Sequence, residues 1–285
     1  MNMKRFILLI CIGAGLLAIP SCKKDKTEPE EALPTSFAKK NLVEKFSSQY
    51  CGYCPYGMDC IHEYIADDPN WIPIVHHYGF AADHFSVAGC KTITEQLKVS
   101  GTPSIAINRH TTNYKSGSNI VFHPAYLATT DRAQFDKTTY ASVEIANTFY
   151  PSNRQLEIEV SGIVGLDNPP QLKLTVLVKE SGMIDTQRDY YETEAGWEQY
   201  RHTHAVRIYA TAATGDVVTV TNHRYQAHYT LSLSKSWVPE NCMVVAFLSE
   251  DFQPVVQVAQ EPVVKGTKGG ADIVHGGIKA YPTSD

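Results

Sequence analysis

Two cysteines three positions apart, in Cys51-Gly52-Tyr53-Cys54-Pro55, are the residues of this sequence best suited to chemistry. A thiolate attacks disulfides, and a C-x-x-C pair can cycle between dithiol and disulfide. Such cycling needs a particular setting. The apolar run Leu42 to Phe46 reads as a strand and Pro55 to Ala66 as a helix, which places the pair at a strand-to-helix turn. Free N–H groups and the macrodipole at a helix N-terminus stabilise an anion there, so Cys51 is the expected nucleophile. Cys54, one turn in, is the expected resolving thiol. Two other readings stay open at this point. Cys51, Cys54, Cys60 and Cys90 could form a four-sulfur zinc site, although no second C-x-x-C supports it, and no metal is expected. Alternatively, Cys51–Cys54 is a structural bridge.

Cys60 and Cys90 are expected to pair as a structural disulfide, closing a loop of about 30 residues and constraining the unfolded chain by roughly 3 to 4 kcal/mol on the loop-entropy argument. A relay exchanging with Cys54 is the functional alternative. Cys242, in the apolar run Cys242 to Phe247, reads as a buried, inert strand residue.

The N-terminus places this chemistry outside the cytosol. Lys4-Arg5 precede the apolar run Phe6 to Ile19, which is too short to span a bilayer and ends in Pro20-Ser21-Cys22. The pattern predicts a signal peptide over residues 1–21 and, from its likeness to a bacterial lipobox, acylation of Cys22 and anchorage to a membrane. A polar tether over 22–38 follows. Of the seven cysteines, discounting Cys11 and Cys22 leaves five, an odd number, so at least one thiol stays free or pairs outside the chain.

Two regions with different periods follow the tether. Residues 39–138 alternate strands (Leu42 to Phe46, Trp71 to His77, Ser104 to Asn108) with helices (Pro55 to Ala66, Thr92 to Val99), and His123 to Lys137 offers a closing helix. Residues 139–265 switch to period two, as in Leu156, Ile158 and Val160, and predict a β-sandwich of short strands. Residues 266–285 form a Gly-rich tail.

The strand, the C-x-x-C, the helix and the later Thr102-Pro103 before a strand together resemble the thioredoxin superfamily. That resemblance implies a cis Pro103 beside the cysteines and a Thr102 backbone that contacts clients. Across most of the chain, Leu42 to Gly57, Pro73 to His84, Gly101 to Ile107, His202 to Ala210 and Val244 to Ala259 resemble the outer-membrane protein 28-related lipoproteins of Bacteroidetes-type bacteria. The expected fold is therefore an α/β thioredoxin-like domain followed by an all-β immunoglobulin-like sandwich domain. Location in the bacterial outer membrane is implied, facing the periplasm or the surface.

The leading functional expectation is a lipid-anchored thiol–disulfide oxidoreductase or isomerase, without cofactor, acting on the thiols or disulfides of exported proteins through Cys51, Cys54, Thr102 and Pro103. Its rival is a surface-exposed binding or adhesin-like lipoprotein that engages a surface ligand without turnover. Accessibility separates the two, because a sandwich or a Tyr114 to Tyr126 segment that covers Cys51 defeats the enzyme. Tyrosines such as Tyr190 and Tyr191 suit protein binding, although tyrosine also simply favours strands.

Other chemistries find less support. Charge falls from −5 to −7 when the leader takes away Lys4 and Arg5, which disfavours nucleic acid as a partner. His76, His77 and His84 invite a metal, but adjacent strand residues point to opposite faces. His202 and His204 share a strand face and lack a third ligand. No phosphate loop, G-x-S-x-G elbow or H-E-x-x-H helix occurs.

Overall fold

A computed structural model describes residues 32–269, apart from Asp67, Gly79, Phe80, Lys115, Ser116 and Lys268. The leader, Cys22, most of the tether and most of the C-terminal tail lie outside the described residues.

Strands β1 (Asn41–Ser47) and β2 (Trp71–His77) are buried along their whole length and pair in parallel. Parallel neighbours need a crossover, supplied here by helix α1 (Cys54–Ile65), whose first turn carries Pro55 where a missing N–H is tolerated. Met58 and Ile61, three apart on α1, bury against Val43, Val75 and Ile105. Helix α2 (Ala88–Gln96) then leads to β3 (Ser104–Ile107), antiparallel to β1, and the edge strand β4 (Val121–Phe122).

The second half supplies β5 (Glu144–Tyr150), β6 (Gln155–Ile163) and β7 (Leu172–Glu180), then a ribbon of β8 (Met183–Asp185) with β9 (Tyr200–His202). It continues with β10 (Ala205–Tyr209), β11 (Arg224–Ser232), β12 (Cys242–Glu250) and β13 (Val255–Pro262). Strands β11, β6 and β5 make a three-stranded sheet. Its inward residues Leu156, Ile158 and Val160 pack on Leu174 and Val176 of β7 and on Val244 and Ala246 of β12.

The expected thioredoxin-like domain followed by a separate immunoglobulin-like sandwich is not what forms. One nine-stranded sheet runs β13-β12-β7-β10-β2-β1-β3-β4, with the two-residue strand Asp216–Val217 added on β7, because β10 pairs in parallel with β2 at Ala205 and Val75. The chain is mostly β, and no separate α/β unit closes on itself. The reason lies in burial on both faces of the central strands. Leu177, Val245 and Phe247 from the second half share a fully buried cluster with Leu42, Ile72, Ile74 and Cys90 from the first. Each such side chain contributes about 1.5 to 3 kcal/mol by leaving water, so separating the halves would expose a face that belongs to both.

Two local expectations also change. Cys60 and Cys90 are free thiols. Cys60 lies on α1 beside the cluster on one face of the sheet, whereas Cys90 is buried on α2 within the cluster on the other face, so the sheet stands between them. In place of a helix over 123–137 the chain makes two short 3₁₀ helices, Pro124–Thr129 and Arg132–Gln134. Asp131 interrupts, its carboxylate accepting from the Ala133 N–H to start the second turn.

Charge is buried inside this sheet. Arg109 donates through Nε and Nη2 to both oxygens of Glu44 at 2.8 and 2.9 Å, and His76 Nε2 lies 3.0 Å from the same carboxylate. Burial alone would raise the Glu44 carboxyl, but the Arg109 charge and hydrogen bonds, with His76, outweigh it and hold it at about 2. Lys179 follows a bulge in β7 and donates to the Pro73 carbonyl at 2.8 Å across the junction of the halves. Burial lowers its amine to about 7. Between these folded and unfolded values the unfolded chain binds more protons, so stability rises with pH. Unfolded Cys60, Cys90 and Cys242, whose folded thiols burial raises, ionise between pH 7 and pH 9 and oppose this rise, so the lysine contribution is read from unfolding titrations over that range as a difference between the protein and a variant. Lys179→Met should reduce the slope of stability against pH by about 1 kcal/mol per pH unit.

Candidate functional site

Strand β1 ends at Ser47, and the chain turns into α1 through Ser48–Tyr53, with the Cys51 N–H donating to the Ser48 carbonyl at 3.0 Å and the Cys54 N–H to the Cys51 carbonyl at 3.1 Å. This turn brings the cysteine Cα atoms to 5.4 Å, and Cys51 and Cys54 are joined as a disulfide. Behind it, Lys45 of β1 donates to the Cys54 carbonyl at 2.9 Å. Burial holds this amine down at about 7, against the pull of the Asp59 charge on α1.

The bridge is covered. Cys51 is 5% exposed and Cys54 1%. The cover comes from the connection between β8 and β9, which runs along the cysteine turn as an added strand would. The Arg188 N–H donates to the Gln49 carbonyl at 2.8 Å and the Tyr190 N–H to the Gly52 carbonyl at 3.0 Å. Buried Gln187 places its amide nitrogen 2.9 Å from the Cys51 carbonyl and 3.2 Å from that of Ser48. Gln49 reciprocates, its amide donating to the Thr186 carbonyl at 2.6 Å. The Tyr190 ring lies directly on Gly52, where a Cβ would come within 2.6 Å of the ring, so only glycine permits this approach.

The cover is itself a surface. Tyr50, Tyr53, Tyr190 and Tyr191 are among the most exposed large side chains of the described residues. Tyr53 meets Tyr190 edge-on at 4.8 Å between ring centroids and Tyr191 at 6.2 Å, and Tyr191 meets Tyr56 at 6.4 Å. The Arg188 guanidinium lies 5.4 Å from the centre of the Tyr190 ring. Rings that support one another while remaining half in water suit contact with a partner.

The Omp28 outer membrane protein family matches residues 90–267. The chain belongs to that family. No curated protein matches it in sequence. Among solved structures the fold is similar to that of HBP35 of Porphyromonas gingivalis, with a TM-score of 0.66 at 20% identity, covering 87% of this chain and 81% of the other. The protein is accordingly an outer-membrane protein.

Not every residue singled out by type meets at the site. The Thr102–Pro103 peptide is cis, and Pro103 packs on α1 at Gly57, a turn beyond the cysteines. The Thr102 hydroxyl is buried without a hydrogen-bond partner among the described residues. His76 and His77 part to different neighbourhoods, one on Glu44 and Tyr209, the other on Asp83. His202 ends β9, and His204 falls between strands at φ 57°, so they do not share a strand face. Gln187 and the backbone of Arg188 and Tyr190 were not visible as site residues. They lie 136 positions or more beyond their partners in a polar stretch without periodicity, and only the adjacent Tyr190-Tyr191 hinted at the region.

Replacing Gln187 by Leu leaves the buried carbonyls of Ser48 and Cys51 without this donor. Because those carbonyls keep the Cys51 and Cys54 N–H donors, it should cost about 0.5 to 1.5 kcal/mol in urea unfolding and should speed reduction of the bridge by a phosphine in the absence of denaturant.

Proposed function

We propose that the protein is an outer-membrane lipoprotein, anchored through Cys22, that binds a ligand outside the bilayer, with Cys51–Cys54 serving as a structural bridge beneath its contact face. One observation carries this reading: the connection between β8 and β9 closes over the disulfide and turns exposed tyrosines outward on the same spot. Thiol–disulfide exchange proceeds by attack of a thiolate on an accessible sulfur. With Cys51 and Cys54 at 5% and 1% exposure, a client's sulfur has no line of approach unless the cover lifts.

The oxidoreductase reading keeps a definite test. The mature protein, reduced or oxidised, is incubated with a disulfide-bonded or scrambled protein client in glutathione buffer. Exchange should not exceed that of a Cys51→Ser variant, and the bridge should show a potential below about −300 mV, the range of structural disulfides. Turnover that depends on Cys51, with a reversible potential of about −120 to −200 mV, would restore the enzyme.

A further inference from the structure

Next to the tyrosine face, and joined to it through the Tyr56–Tyr191 contact, a cavity of about 640 Å³ opens between α1 and the 3₁₀ helix Pro124–Thr129. Its volume falls in the usual range for small-ligand sites, about 300 to 1,000 Å³. The walls divide by chemistry. Leu127, Ala125 and Ala128 form an apolar side. Asp59, Glu63 and Asp131 bring three carboxylates against the single guanidinium of Arg132, and Tyr56 and Tyr64 bring aromatic rings.

Two further features point to the kind of group that would enter. The guanidinium of Arg132 already rests 4.9 Å from the centre of the Tyr64 ring, so this ring accepts a cation on its face. The Tyr64 side chain is only 9% exposed, and its hydroxyl has no hydrogen-bond partner among the described residues. That hydroxyl can accept an N–H or donate its own proton. Carboxylate charge adds to burial in the surrounding titrations of Tyr56 and Cys60. Burial, the Cys60 contact and the Glu63 charge raise the Tyr56 phenol to about 12, and burial, with Asp59 and Glu63, raises the Cys60 thiol. Negative potential in a partly enclosed space favours a positive guest.

The geometry points to a binding site for an alkylammonium group, with its N–H donors toward the Asp59, Glu63 and Asp131 carboxylates, its charge against the Tyr64 ring, and its stem along Leu127 and the two alanines. This rests on the binding reading above and names the ligand chemistry of that face. Two sources share this chemistry, a free small amine and the lysine side chain of a protein. Arg132 is the resident cation that gives way as the ammonium arrives.

Hexylamine is the first probe, titrated into the mature protein at pH 7 by calorimetry and, independently, by protection of the half-buried Cys60 thiol from alkylation. Saturable binding is expected. 1-Hexanol, with the same stem and no charge, should bind at least about tenfold more weakly, as loss of a charge-assisted contact implies. Glu63 and Asp131 are both exposed, and asparagine can still cap the second 3₁₀ turn, so a Glu63→Gln, Asp131→Asn double variant should fold normally and bind hexylamine about tenfold more weakly. Asp59→Asn should show a larger loss. Nα-acetyl-lysine amide distinguishes the sources: affinity equal to that of hexylamine supports a protein lysine, and much weaker affinity supports a free amine. Equal affinity for hexylamine and hexanol, or unchanged hexylamine affinity in the double variant and in Asp59→Asn, would overturn the site. The exchange assay reads Cys51 alone, so failure here leaves the structural-bridge reading standing, and Cys51-dependent turnover leaves the amine result untouched.

Discussion

The parallel pairing of β10 with β2, held by the Val75 N–H donating to the His204 carbonyl at 2.8 Å, fixes where everything else in this molecule can be. Without it, β2 and β10 would each present an edge of unpaired backbone. With it, the two halves share one sheet and one buried face. The chain entering β10 must then arrive from directly beside the turn that follows β1. That is why the connection from β8 to β9 lies along Ser48–Tyr53 and why the disulfide is covered.

Buried charge reinforces the same junction. The Glu44, Arg109 and His76 cluster ties β1, β2 and the turn after β3 together, and it reaches the second half through the Tyr209 hydroxyl on His76 at 3.2 Å and through Arg109 against Phe247 and Phe252. A buried ion pair of this kind adds little net stability over well-packed apolar groups, but removing one partner leaves an uncompensated charge at a cost of about 3 to 5 kcal/mol. The cluster therefore penalises arrangements in which the halves part more than it strengthens the one in which they meet. The cover over the cysteines rests on a rigid seam, not on a hinge between domains.

Much of the local structure was legible in the sequence. Trp71 to His77 announced itself as a strand, the C-x-x-C opened a helix within a residue of its expected start, and the alternation Leu156, Ile158, Val160 gave the inner face of β6. What periodicity could not show was pairing. Leu172, Leu174 and Val176 read as a half-buried strand, yet Leu177 on the opposite face is equally buried, because β7 has a sheet on one side and the cluster around α2 on the other. A strand pairing between positions 75 and 205 leaves no mark in either segment. The candidate site divides in the same way. Cys51, Cys54 and Tyr190 stand out by type, whereas Gln187 acts only because the fold delivers its amide to carbonyls far away in sequence. The acidic, tyrosine-lined cavity combines α1 with a segment expected to be one helix and found as two short turns.

The central claim, a disulfide that belongs to the architecture, is tested most directly by the rate at which a water-soluble phosphine reduces Cys51–Cys54 across a urea series that ends beyond unfolding. A covered bridge predicts very slow reduction in native buffer, with a rate that climbs steeply with urea as opening of the structure exposes the sulfur. A native-buffer rate close to that of an oxidised peptide spanning the same turn, and flat with urea until unfolding, would contradict the account.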